Sequence, residues 1–277
     1  MRFPLLIDYQ DAFSKGTFQR MQSAPLMYKQ IYKRELKLVN EFEKKSYNWF
    51  NGHIIISEQD RMALNVAPDK KIFIVPNGID TSFFKPIVSD KKFDITFVGN
   101  MNYPPNVDGA CFLVEEIMPL VWKQLPEAKV QIGGAHPNRK VRALEQKKVT
   151  VTGWIDDIRD CYNSTRTFIA PMRIGTGLQN KLLEAMAMQI PCVTTPISFE
   201  PLRAKRNNDI LVGETKQDLA QHLINLLQNR ELNSKIASNG YHFVFENYSM
   251  EHSRKLLDDV IAYTIMNAAK SAKDIES

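Results

Sequence analysis

"IAPMRIGTGLQNKLLEAMAMQIPCVTT", residues 169–195, decides the fold. A short apolar run ending at Ala170 leads into a segment with glycines at 175 and 177. A strongly helical stretch, Leu178 to Met188, follows, and then a second β-type run, Cys192 to Thr194. Strand, glycine turn, helix and strand form a βαβ unit, which joins two parallel strands. At such a turn Gly175 and Gly177 let the backbone approach a ligand closely, and the first N–H groups of the helix lack partners within it. That helix end favours phosphate through its free donors and its dipole. Lys181 lies about one turn in, where its ammonium can reach the same anion. Glu184 lies three residues further on the same side, placed for ribose hydroxyls. The stretch fails both common nucleotide fingerprints: Asn180 stands where GxGxxG needs its third glycine, and no GK[ST] follows. By spacing alone, a plain strand-to-helix turn with a solvated lysine and glutamate fits as well.

Outward from this unit the alternation continues. Strands are expected at Asp94–Val98, Val130–Ile132, Val149–Val151, Thr167–Ala170, Cys192–Thr194 and Ile210–Val212. Between and after them, helices are expected at Asn106–Gln124, to about Leu144, Ile155–Tyr162, Leu178–Met188, Lys216–Gln228, Glu231–Glu246 and Ser249–Ala268. Upstream, strands at Leu5–Asp8, His53–Ser57 and Ile72–Val75 flank a long helix, Pro25–Phe50, and a short one, Glu58–Leu64. This is an α/β chain with a parallel sheet. In such sheets ligands bind beyond the carboxyl ends of the strands. Five places qualify: Gly99 with Asn100, Gly133 to His136, Gly153 with Trp154, Arg173 to Lys181, and Pro196 to Glu200. His136 is equally an incidental loop histidine, and Glu200 equally a surface carboxylate. "VPNGIDTSFF" reads as a turn between domains, with the boundary near Lys85–Asp90.

With 277 residues, 44% hydrophobic and 24% charged, the chain is an ordinary globular protein of two domains. A net charge of +5 is too small and diffuse to argue for nucleic acid. Cys111, Cys161 and Cys192 are far apart and form no CxxC, so neither zinc nor a disulfide framework is indicated. No metal-ligating cluster and no Ser-His-Asp order emerges, and Asp156 with Asp157 reads as helix capping. No apolar stretch reaches the roughly 18 residues of a spanning helix, and no signal peptide opens the chain. The expected location is cytoplasmic, at most peripheral at the inner face of the membrane. Ser14–Lys45 holds eight basic residues against three acidic ones, with Phe18, Tyr28 and Tyr32 interleaved. That composition suits either a helix lying on an anionic membrane or an ordinary solvated helix face. Because "MRFPLLIDYQD" enters a strand at once, upstream residues are expected to be missing.

Together these stretches resemble the retaining glycosyltransferases of family 4, which have the GT-B fold. "IIISEQDRMAL" resembles the family's strand-then-"SE" segment and "IFIVPNGIDTSFFKP" its "V-P-N-G-V-D…F" crossover. "FDITFVGNMNYPPNVDG" is similar to the first strand and loop of the C-terminal domain, "VTGWIDDIRDCYNST" to "G-x-V…L…Y", and "LLEAMAMQIPCVTT" to "LEAMA-G-P-V-V". "PMRIGTGLQNKLLEAMA" looks like a branch associated with exopolysaccharide assembly. The resemblance implies a partial N-terminal Rossmann-like domain over residues 1–85 and a nucleotide-sugar-binding Rossmann-like domain over 86–248. A C-terminal helix, 249–277, would return to the first.

The reaction implied is transfer from a nucleoside-diphosphate sugar of the UDP or GDP type, without further cofactor, to a glycan or lipid-linked acceptor. A non-catalytic nucleotide-binding fragment and, less favoured, a GT-B epimerase are the alternatives. By the same resemblance Glu184 bonds the ribose, Gly177 and Leu178 face the diphosphate, and Trp154 lies beside the base through its main chain. Thr176 stands where the family has its first motif glutamate, so a hydroxyl replaces the carboxylate toward the sugar. The loop "GNMNYPPN" lacks the Arg and Lys that many members carry, so Arg173 and Lys181 are expected to supply the charge. Asp8 and Asp11 follow a strand where the family places donor-facing polar groups.

Overall fold

A computed structural model describes residues 3–64, 66, 71–174 and 177–276. The chain first forms β1 (Leu6–Asp8), α1 (Phe13–Ser23), α2 (Leu26–Ser46), β2 (Gly52–Ile55), α3 (Glu58–Ala63) and β3 (Phe73–Ile74). Next come β4 (Phe93–Val98), α4 (Pro104–Cys111), a π turn at Phe112–Ile117, α5 (Met118–Trp122), β5 (Val130–Gly133), α6 (Arg139–Arg142) and β6 (Val149–Gly153). Then follow α7 (Arg159–Asn163), β7 (Thr165–Ala170), α8 (Asn180–Ala187), β8 (Cys192–Thr194), α9 (Pro196–Phe199) and β9 (Leu211–Val212). Three helices close the chain: α10 (Lys216–Gln228), α11 (Arg230–Tyr248) and α12 (Met250–Glu276).

Two compact units result, residues 1–78 with 250–277, and residues 79–249. In the smaller unit β1, β2 and β3 pair in parallel, in that order, over a core that includes Tyr9, Ile55, Leu64 and Ile72. Ser57 starts α3 by accepting from the Asp60 N–H at 3.1 Å. α12 closes the unit: Asn267 Nδ2 donates to the Asn51 carbonyl at 2.8 Å, and Thr264 packs against Gly52.

In the larger unit all six strands pair in parallel, in the order β6-β5-β4-β7-β8-β9. Their near-continuous apolar runs, such as Ile95–Val98 and Phe168–Ala170, are buried, as a sheet covered on both faces requires. From β4 the chain winds outward on one side through β5 and β6, then crosses back to β7 and winds outward on the other. A switch point therefore opens between the carboxyl ends of β4 and β7.

The structure moves several expected boundaries. The units divide at Gly78/Ile79, earlier than Lys85–Asp90, because Ile79 is buried in the larger core and donates its N–H to the Tyr248 carbonyl at 2.7 Å. The expected helix 178–188 starts at Asn180, with Gln179 extended as its N-cap. The helix expected at 155–162 shrinks to α7 because Asp157 turns back to accept from the Arg159 N–H at 3.0 Å. The helix expected to Leu144 is the single turn α6. α1 had no clear sequence signal, since Gly16 and Thr17 are poor helix formers.

Candidate functional site

A pocket of about 730 Å3 lies at the switch point. The loop after β4 supplies Gly99 and Asn100, that after β5 Gly134 and Ala135, and that after β6 Trp154 to Ile158. Leu178 to Lys181 and Glu184 contribute from α8 and the residues before it. The first two loops touch because Gly134, at φ +127°, has no Cβ. An added Cβ would lie 1.9 Å from the Gly99 carbonyl oxygen.

α8 presents its N-terminus to this pocket without a side-chain cap, since Gln179 makes no capping bond. Among the described residues no N-cap side chain takes its first N–H donors. The Lys181 ammonium donates to Asn106 Oδ1 at 2.6 Å and sits 4.8 Å from the centre of the Phe97 ring. Burial pushes its pKa down to about 8, against the opposing pull of Glu184. Asn106 itself is buried at the start of α4, and its Nδ2 donates to the Asn100 carbonyl at 3.1 Å. Glu184 Oε2 accepts from the Tyr162 hydroxyl at 2.6 Å. Burial raises the carboxyl's pKa, while the Tyr162 hydrogen bond and the Lys181 charge hold it down. A cation and a carboxylate one turn apart thus share one wall of the pocket, each held by a residue from elsewhere in the fold. Such a wall can bind an anion and a diol side by side.

The other expected residues are dispersed. Arg173 does not line the pocket: its guanidinium makes two bonds to Asp108 (3.0 and 2.6 Å), one to Glu116 (3.2 Å), and lies over the Phe112 ring. Its charge is already balanced by two carboxylates. His136, at φ +54°, lines a separate pocket of about 500 Å3 with Arg142 and Glu145, and Trp154 borders both pockets. The Trp154 indole is 72% exposed and donates to Asp156 Oδ1 at 3.1 Å. Gly177 adopts φ +76° just ahead of the pocket-lining Leu178. Thr176 lies outside the described residues.

Asp8 and Asp11 belong to the smaller unit. There Asp8 accepts from the Gln10 N–H at 2.8 Å and from the Gln10 side-chain amide. Asp11's pKa is raised by burial and by Asp60, with Lys15 opposing. Asn106 and Tyr162, which hold Lys181 and Glu184, are the residues that the motifs did not single out, although Tyr162 is the tyrosine of the "G-x-V…L…Y" stretch. Among the described residues no group of three or more His, Cys, Asp or Glu side chains is placed to hold a metal. No helix among them is long and apolar enough to cross a membrane.

Residues 92–229 match the family of glycosyl transferases group 1. A 44.6 kDa protein of the cps region of Klebsiella pneumoniae is 25% identical over 274 residues, which cover 89% of this chain and 68% of that protein. Among solved structures, HepE of Anabaena in complex with UDP and glucose superposes with a TM-score of 0.70 at 14% identity, over 94% of this chain and 71% of that one. Sucrose-phosphate synthase from Thermosynechococcus elongatus gives 0.68 at 16% identity, over 97% and 69%. TarM gives 0.66 at 18% identity over 82% of this chain, which spans about half of TarM (46%). The architecture is that of the GT-B fold, and the match to group 1 glycosyl transferases falls within the larger unit.

Proposed function

We propose, from the match of residues 92–229 to the glycosyl transferases group 1, that this chain moves a sugar from a nucleoside diphosphate of the UDP or GDP type to a glycan or lipid-linked acceptor. Transfer retains the configuration of the sugar carbon. The observation that carries this reading is Lys181 and Glu184, one turn apart on α8, lining the pocket at the switch point.

In this reading the diphosphate lies against the uncapped start of α8 and the Lys181 ammonium. Glu184 accepts from the ribose hydroxyls, and the base lies beside the main chain at Trp154. Breaking the bond between sugar and phosphate leaves extra negative charge on the diphosphate. A fixed cation and a helix N-terminus stabilise that charge without reorganising, which lowers the barrier. With Arg173 neutralised by Asp108 and Glu116, the side-chain charge comes from Lys181. No metal or other cofactor takes part in this reading.

Contact with a membrane surface belongs to the same proposal. Met27, Ile31, Leu38 and Phe42 of α2 are exposed and fall on one stripe at helical spacing with Arg34 and Lys45, while Lys33, Lys37 and Lys44 lie together on another face of the helix. An exposed apolar stripe with basic flanks suits an anionic lipid surface. Cosedimentation with anionic but not neutral vesicles is the expected result.

Calorimetric titration of UDP, GDP and their sugar conjugates into the protein tests the site. We expect Lys181→Ala to weaken diphosphate binding by roughly tenfold or more. Unchanged affinity and near-normal turnover in that variant would sink the assignment. Binding without turnover on any glycan or lipid-linked acceptor would favour a non-catalytic nucleotide-binding chain.

A further inference from the structure

We infer that Tyr162 is a positioning residue of the nucleotide site, which fixes Glu184 as an oriented carboxylate for the ribose hydroxyls. The inference rests on the reading of Glu184 given above and adds to it the group that makes Glu184 competent.

Tyr162 comes from α7, 22 positions away from Glu184 in sequence. Its ring is fully buried, in edge and tilted contacts with Phe84 at 6.4 Å and Phe168 at 5.5 Å. Packing on both aromatic neighbours leaves the ring little freedom, so the hydroxyl is a fixed donor. That hydroxyl has one hydrogen and two neighbouring acceptors, Glu184 Oε2 at 2.6 Å and the Lys181 carbonyl at 3.4 Å. The shorter bond to the charged oxygen takes the proton.

The surroundings keep the donor role constant. Burial and the Glu184 charge push the phenol well above its ordinary pKa, so it stays protonated over the working range. The groups facing this pair are Lys181 on the same helix and the thiols of Cys161 and Cys192, both held neutral by burial. Of the two carboxylate oxygens, Oε2 is thereby engaged on the protein side. Oε1 is left for a ligand in the pocket that Glu184 lines. Without the phenol, the carboxyl would rotate and would be protonated at a higher pH, because burial is then opposed by Lys181 alone.

Tyr162→Phe keeps the ring and deletes only the donor. Affinity is measured for whichever of UDP and GDP the wild type binds better, and for the 2′,3′-dideoxy counterpart of that nucleotide, across pH. Tyr162→Phe is expected to lose roughly tenfold for the ribonucleotide and little for the dideoxy form. Its loss of binding on acidification should begin at higher pH than in the wild type. In Glu184→Gln the added Tyr162→Phe substitution should cost nothing further. Equal losses for both ligands, or an unmoved acid limb, or additive losses in the double variant would overturn the inference while leaving the site in place. A wild type that binds neither diphosphate would overturn the underlying reading and the inference with it. If Tyr162→Phe fails to fold, the dideoxy comparison is made with Tyr162→Met, which fills the buried space flexibly and carries no hydrogen-bond donor, and the same outcomes decide.

Discussion

Burial holds the Lys181 ammonium at a pKa of about 8, below that of an exposed lysine, with Asn106 Oδ1 as its acceptor. A bound diphosphate would stabilise the charged form and raise that pKa again. The bound complex therefore keeps a proton that the free protein loses as pH climbs through about 8. Nucleoside-diphosphate affinity is expected to be level between the acid limb set by Glu184 and that point, and to fall by about tenfold per pH unit above it. Binding near pH 8 should take up a proton, seen as a buffer-dependent heat. In Lys181→Ala both effects should vanish. Lys181 and Glu184 were legible in sequence because their spacing on one helix face is local. Arg173 was not, because its partners Asp108 and Glu116 lie 65 and 57 positions away. No periodicity in the 169–195 stretch reports on them.

At the scale of elements, the pocket exists because four strand-end loops converge, and their contacts are set by backbone approach. Gly134 shows this most sharply. Its φ of +127° is disallowed for a side chain, and the Gly99 carbonyl occupies the space a Cβ would take. Gly134→Ala is expected to destabilise the larger unit by about 3 kcal/mol and to weaken diphosphate binding, read by chemical denaturation and calorimetry. Wild-type stability in that variant would mean that the β4 and β5 loops need not touch. The strand-end stretch Gly133 to His136 marked a turn but not which glycine was indispensable. The sequence motif also placed His136 with the site, whereas the chain turns through a left-handed residue there and sends it to the neighbouring pocket. α8 was visible through its apolar spacing, yet its start was misplaced by two residues, since Leu178 and Gln179 are good helix formers by propensity but Gln179 is extended here, two residues after the left-handed Gly177.

For the whole molecule, the chain leaves the smaller unit at Gly78 and returns to it at Met250, so the larger unit is one continuous segment. Its hydrophobic cluster lies entirely within residues 79–249, from Ile79 to Tyr248. A fragment of residues 79–249 is expected to unfold cooperatively and to bind nucleoside diphosphate within about threefold of the full chain. Failure of the fragment to fold would show that the smaller unit supports the larger. The sequence by itself determined the α/β class, the parallel order of strand and helix, and the helix face that carries Lys181 and Glu184. These are local, because strand and helix periods and glycine turns are properties of neighbouring residues. Only the tertiary structure decided which strand ends face one another, that Arg173 is spent on Asp108 and Glu116, and that Asn106 and Tyr162 hold the two charged groups. Those pairings form across the sheet between residues far apart in the chain, where burial and distance act and sequence spacing carries no record of them.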